Sequence, residues 1–469
     1  MERREFFKNA GLVTAGIGLT GGYNLATSVR PTEEFDSTSA KNIIFMVSDG
    51  MSQGTLTMAD KLKQKMYNKP SVWMELYRQQ KVKRALMDMA SASSLVTDSA
   101  AASSSWGGGH RIPNGAVNVG RGNVKHKPLW QKFMNAGKKA GIVTSVYATH
   151  ATPAGFCVNS KSRNDQDGIA EKYLNLDLEV IMGGGQKYFD PELREDQKNL
   201  YAGFQDKGYE VVKNKNKLKS YNRKKPLLGL FSEEALPYEL DRLNNKELES
   251  KVPSLQEMTS TALEHLKGHQ NGFVLQVEGG KVDWAAHAND ASAMLYDQMA
   301  FDDAVESAIK FAEEDGETLV IVTTDHGNAN PGIMYGENAN ENFDRLKSFK
   351  HTNEWILNSI TQTDSIKKVQ NIIQDANNYK ISKGQAESIL DYYKNLEKPE
   401  KGLYNYKKLP FKLLSEIQES YTSVGWMSGN HSSDYVELAT YGPGSDLLKG
   451  FMKNTELHYM LLEACEVKP

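Results

Sequence analysis

Apolar residues fall along this chain in short unbroken runs, separated by longer stretches in which they recur every three or four positions. The first run, Ile43-Ile44-Phe45-Met46-Val47, ends in Ser48-Asp49-Gly50. A continuous apolar run closed by turn residues reads as a strand buried on both faces. Similar runs occupy Gly141 to Tyr147, Leu178 to Met182, Phe273 to Val277, Thr318 to Val322 and Tyr435 to Thr440. Helical spacing fills Leu129 to Ala140, Leu255 to Leu266 and Ala291 to Ala312. Strands alternating with helices predict an α/β fold, with a mostly parallel central sheet and helices on both faces. Between Gly336 and Gly425 the pattern changes to Asn-, Lys- and Tyr-rich sequence with helical patches at Ser365 to Asn377 and Ala386 to Leu396. This stretch, 336–425, is expected to be a large insertion outside the central sheet.

The polar residues that close the runs change the picture. Asp49 follows the first strand, and His150 and Thr152 follow the second. Glu278 closes Phe273 to Val277, and Asp325-His326 closes Thr318 to Val322. A single Asp after a strand is commonly a turn or cap residue. Ligands of open α/β sheets bind beyond the carboxyl ends of the strands, so four such ends are expected to bring acids and histidines to one rim.

Composition narrows the class. The 469 residues carry a net charge of −3 and are 39% hydrophobic. That is enough for a sizeable core and offers no basic excess for a nucleic-acid partner. The lysine-rich run Lys213 to Lys225 reads as a solvated loop. At the N-terminus, Arg3-Arg4-Glu5-Phe6-Phe7-Lys8 precedes the uncharged, glycine-rich segment Ala10 to Leu25. This predicts an export signal of twin-arginine type over residues 1–28, with a mature protein in the periplasm or outside the cell. The segment is too short and glycine-rich for a stable membrane anchor. The two cysteines, Cys157 and Cys465, make no disulfide framework and no thiolate zinc site, so any metal must be held by oxygen and imidazole.

Two stretches carry candidate chemistry. In Val96-Thr97-Asp98-Ser99-Ala100-Ala101-Ala102, Asp98 or Ser99 caps a helix that the alanines propagate. An ordinary cap has this pattern, and so does a hydroxyl presented at the positive end of a helix. In Glu278-Gly279-Gly280-Lys281-Val282-Asp283-Trp284-Ala285-Ala286-His287, Asp283 and His287 share a helix face and could grip one ion. His431 stands in Ser428-Gly429-Asn430-His431-Ser432. With Asp49 these residues make nitrogen-and-oxygen sites suited to zinc and an oxygen-rich site suited to magnesium.

These motifs, in this order from Asp49 to His431 and on through Tyr441-Gly442-Pro443, resemble the alkaline phosphatase family. The resemblance implies an alkaline phosphatase catalytic domain over 41–469, two Zn2+ and one Mg2+, and hydrolysis of phosphate monoesters through a phosphoserine. It implies Ser99 as nucleophile and Arg163, in Ser160-Lys161-Ser162-Arg163-Asn164, as the phosphate clamp. Asp283, His287 and His431 match the ligands of one zinc; Asp49, Asp325 and His326 match those of the other. Asp49, Thr152 and Glu278 match the magnesium ligands. His150 and Trp284 flank these ligands where the most familiar bacterial members carry Asp and Lys. A homodimer is also implied. A phosphodiesterase or sulfatase of the same superfamily is disfavoured by Arg163 and by Ala100-Ala101-Ala102 after Ser99. A non-catalytic exported metal-binding protein would need neither Ser99 nor Arg163.

Overall fold

The apolar runs become the centre of a ten-stranded sheet. The structure is a computed structural model that describes residues 39–394, 396 and 404–468. Its first eight strands are β1 (Asn42–Ser48), β2 (Lys83–Asp88), β3 (Lys139–Tyr147), β4 (Val180–Gly184), β5 (Glu210–Val212), β6 (Leu227–Leu230), β7 (Phe273–Gly279) and β8 (Thr318–Thr323). They are followed by β9 (Gly327–Asn328), β10 (Gly332–Ile333), β11 (Val424–Gly425), β12 (His431–Ser432), β13 (Val436–Tyr441) and β14 (Phe451–Lys453). The large sheet has the order β14-β2-β13-β8-β1-β7-β3-β4-β6-β5. Only β13 runs against its neighbours, β8 and β2.

Burial on both faces explains why β1 is apolar at every position. Ile44 and Met46 enter the core beneath the helices Leu255–Leu266 and Ala291–Asp315. Ile43, Phe45 and Val47 enter the core shared by Ser99–Gly108, Ala151–Cys157 and Asn454–Ala464. The expected α/β architecture is therefore present, with helices on both sides of a mostly parallel sheet.

Element boundaries moved where a backbone constraint outweighed the apolar pattern. The helix expected over Leu129 to Ala140 stops at Asn135. Gly137 then takes φ +87°, and Lys139 and Ala140 already pair with Phe273 and Val274 as the start of β3. The Leu178 run yields a strand only from Val180 to Gly184. β2, near one edge, alternates buried and exposed positions and gave no apolar run; β5, β6 and β14 are too short to show one.

β10 and β11 pair antiparallel, Gly332 opposite Gly425, so the chain returns to its starting point after the stretch between them. That stretch contains Ile366–Asn377 and Lys383–Tyr393, each capped by a serine, and also Phe411–Thr422. The second helix begins three residues before Ala386 because Ser382 and Gln385 form a capping box. Phe343, Ile356, Val369, Ile373 and Leu414 from this stretch join the core under the Ala291–Asp315 helix. Asp290, the N-cap of that helix, accepts the Asn353 N–H at 2.6 Å.

The expected export segment lies outside the described residues. Among those described, no helix is long and apolar enough to cross a membrane. Cys157 and Cys465 are both free.

Candidate metal centre

Four adjacent strands in the middle of the sheet, β8-β1-β7-β3, run parallel, so their carboxyl ends open on one side. Asp49 follows β1 between the ends of β8 and β7. Asp325 and His326 follow β8, Glu278 is the penultimate residue of β7, and His150 precedes the helix after β3. Every one of these side chains is buried. Gly50 holds φ +67°, and a Cβ there would strike the Asp283 carboxylate. The left-handed turn is thus what brings the Lys281–His287 helix against Asp49.

The residues assemble into three groups of potential ligands: Asp49, Asp325 and His326; Asp283, His287 and His431; and Asp49, His150 and Glu278. In the first, His326 Nδ1 faces the Gly327 carbonyl at 3.3 Å, which makes Nδ1 the donor and leaves a lone pair on Nε2. That lone pair points among Ser99 Oγ (3.3 Å), Asp325 Oδ2 (3.2 Å) and Asp49 Oδ1 (3.5 Å). Asp49 Oδ1 and Asp325 Oδ2 are buried without a hydrogen-bond donor. Burial, then the charges of Asp325, Asp283 and Glu278, push the Asp49 carboxyl well above the usual carboxylate range. Burial also acts to raise Asp325, but His326, the Gly50 N–H and His431 together bring it down to about 2. Buried acceptors that converge on one point without a hydrogen-bond donor are the donor set of a cation site.

The second group gives the same answer. His287 Nδ1 lies 2.8 Å from the Gly429 carbonyl and His431 Nδ1 lies 2.9 Å from that of Thr97. Both Nε2 atoms are then lone-pair acceptors, yet they stand 3.0 Å apart. Asp283 is within 3.4 Å of one and 3.5 Å of the other. Burial, aided by repulsion from His326, pushes His431 down to about 4. The imidazole is thus neutral and ready to ligate at neutral pH. Asn328 Nδ2 donates to Asp283 Oδ1 at 2.7 Å and fixes the carboxylate.

The third group is richer in nitrogen than the expected Asp49, Thr152 and Glu278. His150 Nδ1 stands 2.9 Å from Glu278 Oε1 and 3.9 Å from Asp49 Oδ2, inside the group rather than behind it. Thr152 Oγ1 sits at its edge, 3.4 Å from Asp49 Oδ2. Thr144, which carries no signal in the sequence beyond its place in a strand, donates to Glu278 Oε2 at 2.5 Å. Trp284 is half-buried, and its ring meets His150 edge-on at 6.5 Å.

Ser99 is the first residue of its helix and Asp98 the N-cap, accepting the Ala101 N–H at 2.9 Å. The other oxygen of Asp98 accepts from the Gly115 N–H at 2.9 Å and from Arg163 Nη1 at 3.1 Å. Arg163 Nη2 is 3.4 Å from His150 Nε2. Asp98 therefore ties the guanidinium to the residue next to Ser99, a role the sequence showed only as a helix cap. The structure brings Ser99, Arg163 and the acidic and histidine residues to one rim.

A family model described as alkaline phosphatase matches residues 40–467. Alkaline phosphatase 4 of Bacillus subtilis (strain 168) is 29% identical to this chain over 453 residues, covering 95% of this chain and 93% of its own length. Alkaline phosphatase 3 of the same organism is 29% identical, with 91% and 89% covered. The crystal structure of Thermus thermophilus alkaline phosphatase superposes with a TM-score of 0.84 at 30% identity and covers 96% of each chain.

Proposed function

Because the chain belongs to the alkaline phosphatase family and is an enzyme that hydrolyses phosphate monoesters, we propose that Ser99 is its nucleophile and Arg163 its phosphate clamp. The observation that carries this reading is the position of Ser99 Oγ, 3.3 Å from His326 Nε2 at the start of a helix whose cap holds Arg163. Asp283, His287 and His431 hold one zinc ion; Asp49, Asp325 and His326 hold a second. Asp49, Glu278 and Thr152 hold a magnesium ion, with His150 adjoining them. When bound, the ions supply positive charge that lowers the pKa of a hydroxyl and neutralises phosphate oxygens.

Arg163, steadied by Asp98, offers paired N–H donors to two non-bridging oxygens of a dianionic ester. The Ser99 N-terminus adds unpaired backbone N–H groups to the same anion. Ser99 Oγ forms a bond to phosphorus as the bond to the alcohol oxygen breaks, and the serine proton ends on the departing alcohol. Water then attacks the phosphoserine from the vacated side: its oxygen bonds to phosphorus as the bond to Ser99 Oγ breaks, one of the water's protons restores the serine hydroxyl, and inorganic phosphate leaves. His431 and His287, at the mouth, stand on the side where the alcohol leaves and water enters.

The test is hydrolysis of a chromogenic phosphate monoester beside the matching diester and sulfate, with wild type and Ser99→Ala both loaded with zinc and magnesium. Monoester turnover should dominate. Ser99→Ala should lose the acid-trapped phosphoserine and several orders of magnitude of turnover, the residue coming from water activated at the same site. Wild-type turnover in the loaded variant would refute the nucleophile. Elemental analysis should find zinc at two per chain together with magnesium.

The same reading places the protein outside the cytoplasm as a homodimer. It makes the 336–425 stretch an interface or lid, since that stretch contributes none of the proposed ligands. Excising it, with a short linker joining Tyr335 to Trp426, should change oligomeric state, stability or substrate range while metal content persists. An excised protein unchanged in all three would remove both roles.

A further inference from the structure

Lys281 opens the helix that carries Asp283 and His287, and it is buried, 5% exposed. A buried ammonium is costly unless something replaces its water. Among the described residues no carboxylate forms an ion pair with it, although Glu354, Asp297 and Asp241 attract it from farther off. Its Nζ lies 3.5 Å from the centroid of the Tyr238 ring and 4.8 Å from that of Trp284. The charge is thus lodged against two aromatic faces, an arrangement stronger when desolvated than at a surface.

Trp284 is three residues along the same helix face. Its ring meets Tyr147 edge-on at 5.5 Å and His150 at 6.5 Å. His150 then reaches Glu278 on one side and Arg163 on the other. We propose that Lys281 is a positioning residue whose ammonium, held against Tyr238 and Trp284, fixes the indole beside His150 and so sets the lie of Arg163 toward phosphate. A lysine stem that only filled space would need no charge, and a methionine would serve it as well. The proposal rests on Arg163 being the phosphate clamp.

The experiment is a double-mutant cycle on the metal-loaded enzyme, Lys281→Met against Trp284→Leu, read by the inhibition constant for inorganic phosphate and by kcat and KM. Lys281→Met should raise the inhibition constant about fivefold. Trp284→Leu should raise it similarly, the double variant should match either single one, and Lys281→Arg should restore tight inhibition. Additive effects, or an unchanged inhibition constant with or without a loss of thermal stability, would overturn the role. Tyr238→Leu, measured in parallel, must reproduce the shift; if it does not, the proposal fails even where Lys281→Met will not fold. Arg163→Ala separates the two ideas. If it leaves phosphate inhibition unchanged, the clamp and the Lys281 role fall together. If it weakens inhibition and Lys281→Met does not, only Lys281 falls.

Discussion

The Asp49–Asp325–His326 group and the Asp283–His287–His431 group are built to different standards of rigidity. Asp49, Asp325 and His326 have side chains 0–1% exposed and sit at the ends of β1 and β8, in the most densely paired part of the sheet. His287 and His431 are 38% and 16% exposed and come from the end of a seven-residue helix and a two-residue strand. Their rings are aimed by carbonyls of loop residues, Gly429 and Thr97. The sheet fixes the group that touches Ser99, while loops fix the group at the mouth. This division suits a reaction in which the nucleophile must not move but an alcohol must leave and a water must enter.

Chelation is the strongest way to break that contrast. A graded titration with a chelator should abolish activity with the first ion lost, and that ion should come from the mouth group. Metal analysis at each point should show two phases, and zinc with magnesium should restore turnover better than either alone. A single phase, with all zinc leaving together, would mean the two groups are equally accessible.

Asp98→Ala comes next. It removes a helix cap, worth about 1 kcal/mol, and frees Arg163 at the same time. The expected result is a fall in kcat/KM of roughly tenfold to a hundredfold, mostly through KM, with zinc content intact. Loss of zinc from this variant would place Asp98 in the ligand scaffold and blur the distinction between the groups.

The double change His150→Asp with Trp284→Lys acts on the third group. It puts a carboxylate in place of the imidazole in the third ligand group, and an ammonium in place of an indole with one N–H beside it. Phosphate inhibition should tighten about fivefold, kcat should fall where product release limits it, and magnesium should bind more firmly. Unchanged or weaker inhibition with the zinc sites filled would show that these two positions do not face phosphate.

The smallest effect separates loss of the ions from loss of the fold. His265, with Lys139 and against the opposing effect of burial, holds the Glu179 carboxyl down at about 2. Its folded pKa lies below its unfolded value near 4.5. The stabilisation is therefore complete above pH 4.5 and is lost as pH falls toward 2. Glu179→Gln should lower Tm by roughly 1–2 °C at pH 6 and by nothing at pH 2. Calorimetry of the metal-free protein measures this directly, and equal differences at both pH values would refute the shift. Protonation of His431, whose imidazole burial holds at about 4, should release metal at a higher pH than this acid limit of the fold.

How much of this was legible in the sequence depends on the range over which each feature is set. β1, β7 and β8 are buried on both faces, so their apolar runs announced them, and the acids and histidines closing those runs followed. Ser99 and Asp98 were legible as a helix start because a cap is local. Strands near an edge such as β2, and the true ends of β3 and β4, were not legible, because pairing with a neighbour and a left-handed glycine decided them. Nor did Thr144, Asn328 or the grip of Asp98 on Arg163 leave any trace, for each is a contact across dozens or hundreds of residues.

The sequence by itself determined a doubly covered parallel sheet, the kinds of ligand available and the helix on which Asp283 and His287 share a face, since these follow from periodicity and side-chain chemistry. Only the tertiary structure decided which ligands stand together. Strand order placed β8, β1, β7 and β3 side by side and so set Asp49 between two groups, and it put His150 among the ligands with Trp284 at their flank. The physical reason is that hydrogen bonding between strands has no sequence period of its own. Which strand ends meet is fixed by how the whole chain covers the two faces of its sheet.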